Sequence, residues 1–145
     1  MVIGGVWRLE EDGVTRPIIE VEVAASAGTP INEWFLVDTG ADCTVFTSRL
    51  LAKLALHPEA TQAGSLLQGL GGDSDSVTVQ STLAFQTMDG KRIAVRGTFT
   101  AAIGATTLDM SILGRDVLAN FDVVISRRRN EVLLVAGNHG YAVTG

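Results

Sequence analysis

Two apolar residues, Leu36 and Val37, run straight into Asp38-Thr39-Gly40-Ala41-Asp42. A strand that ends this way delivers a carboxylate to the mouth of a tight turn. Gly40 lets the backbone pass close beneath that carboxylate, because it carries no Cβ. Thr39 adds a hydroxyl able to hydrogen-bond within the loop. An Asp-Thr-Gly turn after a strand is common, and alone it specifies little. Its weight comes from a second element downstream, Ser111-Ile112-Leu113-Gly114-Arg115-Asp116. There an apolar pair precedes a glycine that permits close packing. The arginine that follows can fork onto a carboxylate such as Asp42.

The rest of the chain reads as short strands between turns. Residues 18–24, Ile-Ile-Glu-Val-Glu-Val-Ala, alternate apolar and acidic side chains as a half-buried strand does. Gly28-Thr29-Pro30 is a turn, and residues 34–37 form a strand that ends at Asp38. Residues 44–46 are again β-prone. Asp89-Gly90 predicts a hairpin joining 82–87 to 92–98, with 99–104 continuing the β pattern. Residues 65–70 and 76–83 read as two arms of a hairpin around Gly71-Gly72. Residues 112–113 form a short buried strand, and 123–125 pairs with 132–135 in a last hairpin. Helices are expected over 49–56, with Thr47 or Ser48 as N-cap, and over 115–120. The expectation is a mainly β domain spanning residues 1–145, with one or two short helices.

Composition narrows the function classes. Hydrophobic residues make up 46% and charged residues 19%, an ordinary folded composition. The net charge is −5, so nucleic acid is not an expected partner. Arg127, Arg128 and Arg129 are consecutive and read as a solvated hairpin turn. Cys43 is the only cysteine, which rules out an intrachain disulfide. It has no histidine close in sequence to activate it, so a packed or pocket-lining thiol is expected. His57 and His139 are too few and too far apart to suggest a zinc site, and no metal is expected. No apolar run approaches membrane-spanning length, and residues 1–11 lack a signal-peptide pattern. A soluble, cytoplasmic protein is the expectation.

In order and in kind, these motifs resemble the retroviral-type aspartic proteases, or retropepsins, and their cellular and bacterial relatives. The resemblance runs from about residue 16 to 135. Residues 36–41 match the catalytic loop and 112–116 the helix-entry motif, and together these two are specific. Arg16-Pro17 resembles the family's N-terminal Arg-Pro, whose arginine often pairs across a dimer. Gly69-Leu70-Gly71-Gly72 resembles the tip of the flap, placed at about residues 63–83. The flap continues into Asp73-Ser74-Asp75-Ser76, which is more polar than a viral flap, and residues 1–15 form an N-terminal extension.

The resemblance implies a single-lobe acid-protease barrel and an aspartic endopeptidase. Asp38, Thr39 and Gly40 would be catalytic. Ala41, Asp42, Gly69, Leu70, Gly71, Gly72, Met110 and Ile112 would bind substrate, and Arg115, Asp42 and Arg16 would support the site. Asp109, just before Met110, reads as an exposed loop carboxylate. The chemistry needs two carboxylates sharing one proton, one acting as base on a water and the other as acid on the scissile carbonyl. Such pairs titrate together, an effect for which aspartic proteases are the standing example. The chain contains one such motif, so the second aspartate is expected from a second copy, in a two-fold homodimer acting on a peptide or protein. No cofactor is expected. The competing reading is a non-catalytic dimeric peptide-binding module on the same fold.

Overall fold

The computed structural model describes residues 1–26, 28–55, 66–67, 74–103 and 108–137. These residues form strands β1 (Val2–Leu9), β2 (Thr15–Val23), β3 (Ile31–Val37), β4 (Val45–Phe46), β5 (Leu66–Leu67) and β6 (Ser74–Gln86). Strands β7 (Arg92–Ala102), β8 (Ser111–Leu113), β9 (Asp122–Ser126) and β10 (Glu131–Val135) follow, with helices α1 (Ser48–Leu54) and α2 (Arg115–Leu118) between them. The architecture is mostly β.

The hairpin at Asp89-Gly90 runs in register from Gln86↔Arg92 to Ser76↔Ala102. The far edge of β6 also meets β2, at Glu22↔Ala84 and Val23↔Leu83. That second pairing closes a ring of six strands, β6-β7-β4-β8-β3-β2. Closure satisfies backbone donors and acceptors that an open sheet would leave at its edges. Alternation along β2 and β3 then turns Ile19, Val21, Val23, Phe35 and Val37 into the barrel, all buried. Phe46 packs between Phe35 and Phe99, with ring centroids 5.9 Å and 5.6 Å away. Each such buried side chain contributes about 1.5–3 kcal/mol of transfer free energy.

The sequence pattern predicts no strand in the N-terminal segment, yet β1 is built into the fold. It pairs with β10 over Val2–Gly5 and with β2 over Val6–Leu9. Gly5 marks the change of partner. A Cβ there would stand 2.4 Å from the Ile18 carbonyl oxygen and 2.9 Å from Val132 Cγ1. Two consecutive glycines, Gly4 and Gly5, break the alternation that would have revealed the strand. Ile3 is buried and Trp7 packs against the core.

Helix α1 starts at Ser48, because the Thr47 hydroxyl caps it by accepting from Leu50 N at 3.1 Å. It ends at Leu54, before the expected residue 56, where Ala55 turns left-handed at φ 49. Helix α2 is shorter than the expected 115–120. Residues 69–72, expected at the flap tip, lie outside the described residues.

Candidate active site

β3 and β8 lie side by side in parallel, pairing Phe35↔Ser111, Leu36↔Ile112 and Val37↔Leu113. Both strands end at the same level, so the two sequence motifs emerge next to each other. Asp38 N continues the ladder by donating to the Leu113 carbonyl at 3.1 Å. The chain then turns: Ala41 N donates back to Asp38 O at 3.2 Å, and Gly40 N donates to the carboxylate oxygen Asp38 Oδ1 at 2.9 Å. One carboxylate oxygen is thereby oriented by the loop itself. Asp38 is half-buried, whereas Thr39, Gly40 and Asp42 are exposed.

The second motif locks onto the outgoing half of this loop. Arg115 N donates to Ala41 O at 2.9 Å and Asp116 N to Asp42 O at 3.3 Å. Gly114 sits against the main chain of Cys43, where a Cβ would fall 2.4 Å from the Cys43 carbonyl carbon and oxygen. The glycine is therefore required by close approach of two backbones, as the sequence suggests. Gly114 N in turn donates to the buried Thr44 hydroxyl at 3.0 Å.

Asp116, the last residue of the second motif, has a structural role that the motif alone does not assign. Its Oδ1 accepts Thr44 N at 2.9 Å, Thr44 Oγ1 at 2.7 Å and Val117 N at 2.9 Å. Thr44 and Ser111 also have roles that the sequence motifs do not assign. Ser111 is fully buried and its Oγ accepts Thr47 N at 3.1 Å. The available signal was a pair of small polar residues inside otherwise apolar β segments.

Arg115 Nη2 donates to Asp42 Oδ1, joining the two expected supporting residues. The pair is not buried, however. The side chains are 59% and 82% exposed, so the ion pair lies on the surface of the chain rather than beneath the site. Arg16 forks onto Asp12 of the same chain, with Nη1–Oδ1 2.8 Å and Nη2–Oδ2 2.5 Å. This hydrogen-bonded ion pair, reinforced by the Val14 N–H, holds the Asp12 carboxyl down at about 2. Ala41, Met110 and Ile112 are half-buried. Asp109 is exposed, and Arg49 Nη2 donates to its main-chain oxygen at 3.4 Å. The Cys43 thiol is half-buried, 3.8 Å from Thr100 Oγ1. Gly69, Leu70, Gly71 and Gly72 fall outside the described residues.

Chemically, a loop that presents one positioned, half-exposed carboxylate offers half of a general acid–base pair. Among the described residues no group of three His, Cys, Asp or Glu could hold a metal ion.

Compared with known families, the retroviral aspartyl protease family matches residues 14–126. The chain belongs to that family. Its retropepsin fold is similar to that of the EIAV protease complexed with the inhibitor HBY-793. Sequence identity is 27% and the TM-score 0.51, with 72% of this chain and 86% of that chain covered. A retropepsin-like aspartic protease from Rickettsia conorii is similar in fold at 21% identity and a TM-score of 0.51, covering 92% of this chain and 88% of its own. A comparison with curated proteins gives no match. The family match begins at residue 14, after the end of β1 at Leu9. No helix among the described residues is long and apolar enough to cross a membrane.

Proposed function

We propose that this retropepsin is an aspartic endopeptidase, active as a homodimer in which Asp38 of each copy supplies one carboxylate of the catalytic dyad. The observation that carries the reading is the Asp38 loop. One carboxylate oxygen is held by Gly40 N at 2.9 Å, while the flanking Thr39, Gly40 and Asp42 are exposed in the single chain. A second copy approaching along a two-fold axis would set loop against loop, Thr39 against Thr39. One carboxylate then takes a proton from water as the other donates one to the scissile carbonyl. Close carboxylates resist double ionisation, so the active pair carries one proton, and cleavage is favoured in mildly acidic solution.

Residues 1–145 act as one domain under this reading. Ala41, Asp42, Met110 and Ile112 would line the peptide cleft, and Gly69, Leu70, Gly71 and Gly72 would close over it. No cofactor takes part, and the enzyme works in the cytoplasm. The EIAV relative is itself a protease bound to an inhibitor, which favours the enzyme over a binding module.

The test is cleavage of a peptide library by wild type and Asp38→Asn in parallel, with sedimentation at matched concentrations. Cleavage should track the dimer fraction and vanish in Asp38→Asn, while a chelator leaves it unchanged. Undiminished cleavage by Asp38→Asn, or full activity in a demonstrated monomer, overturns the reading. A dimer that binds peptides and cleaves none makes the non-catalytic module the better one.

A further inference from the structure

Strands β9 and β10 are joined by residues 127–130, three consecutive arginines and Asn130, whose φ of 55 closes the turn. Sequence alone presents a solvated turn, but the tertiary structure braces it. Trp7 Nε1, from β1, donates to the carbonyls on both sides of the turn, Ser126 O at 3.2 Å and Glu131 O at 3.3 Å. The Trp7 ring also carries the Arg127 guanidinium, 5.4 Å from its centroid, and Arg127 Nη1 donates to Asn130 Oδ1 at 3.3 Å. Arg129 N donates to Ser126 Oγ at 3.2 Å, which leaves the hydroxyl hydrogen of Ser126 able to donate outward.

The charge here is poorly neutralised. Among the described residues Arg128 has no ion-pair partner, and Arg129 reaches Glu131 only at 3.9 Å. A depression of about 460 Å³ opens between Ser126, Arg128 and Arg129. A chain of net charge −5 thus concentrates three cations on one hydrogen-bonded turn.

We propose that the β9–β10 turn is an oxyanion-binding site that takes a phosphate group, either free or carried on a phosphorylated peptide segment. Guanidinium forks match phosphate oxygens in geometry and charge. The Trp7 brace holds the turn before ligand arrives, so less freedom is lost on binding. Three cations suit one compact dianion. A nucleic-acid backbone would extend a row of phosphates over an otherwise acidic molecule. Three strands, β10, β1 and β2, separate β9 from β3 and hence from Asp38, so the site is independent of the proposed catalytic loop.

The test is an NMR titration of the full chain with inorganic phosphate, and with chloride at matched ionic strength. A phosphoserine peptide and its unphosphorylated twin form the second pair. Phosphate should give saturable shifts at the amides of residues 126–131 and at the Trp7 indole N–H. Losing one charge-assisted hydrogen bond in Arg128→Gln should weaken binding about tenfold without altering the urea midpoint. Tighter binding of the phosphopeptide than of phosphate identifies a peptide segment as the source, and the reverse identifies the free anion. Shifts that chloride reproduces, or equal phosphate affinity in a folded Arg128→Gln, overturn the site.

Discussion

The carboxylate of Asp116 accepts both donors of Thr44, the main-chain N–H at 2.9 Å and the hydroxyl at 2.7 Å, across 72 residues of sequence. Thr44 is fully buried and hands its own hydroxyl oxygen to Gly114 N. These bonds tie the end of the Asp38 loop to the start of α2. Asp116→Ala leaves buried donors without partners and should cost about 1–3 kcal/mol. Asp116→Asn keeps an acceptor oxygen and should cost less. Urea unfolding of the two variants checks the order, and an Ala variant as stable as wild type would show that the bonds hold nothing.

Gly114→Ala places a methyl 2.4 Å from the Cys43 carbonyl. The obstacle is backbone, which cannot rotate aside as a side chain does. The expected loss is at the upper end of the ~1–3 kcal/mol typical of overpacking, or beyond it. A shift in the urea midpoint with unchanged slope measures it. A neutral result would mean that the two loops separate easily.

The Arg115–Asp42 pair is exposed on the chain, so Arg115→Ala should cost no more than ~1 kcal/mol of stability. A double-mutant cycle with Asp42→Ala isolates the pair's own contribution. A coupling of several kcal/mol in dilute, monomeric protein would contradict the surface placement.

Asp12 provides a pH prediction with a definite sign. The hydrogen-bonded Arg16 guanidinium lowers its pKa from 3.8 to about 2. A depressed carboxyl stabilises the fold above its unfolded pKa, and the contribution disappears as pH falls through the folded value. The Arg16–Asp12 clasp should therefore persist throughout mildly acidic solution and open only towards pH 2. Carboxyl-carbon NMR of Asp12 should titrate near that value in wild type and return towards 3.8 in Arg16→Ala. An unchanged midpoint in the variant would remove Arg16 as the cause.

What the sequence determined is local. Leu36 to Asp42 and Ser111 to Asp116 are contiguous stretches whose composition specifies a strand, a turn and a helix entry, and both elements form. Asp89-Gly90 likewise sets the β6–β7 hairpin, because turn chemistry acts over four residues. The tertiary structure decided what depends on residues distant in the chain. The β6–β2 pairing that closes the barrel has no periodic signature, since alternation shows which face is buried but not which edge is met. β1 was hidden by Gly4-Gly5, whose bare backbones matter only once Ile18 and Val132 lie against them. The partner of Arg16 followed the same logic: Asp12 and other carboxylates were equally available in sequence, and the β1–β2 turn brought Asp12 within reach. The exposure of Arg115 and Asp42 was equally invisible, because burial belongs to the surrounding surface rather than to either side chain.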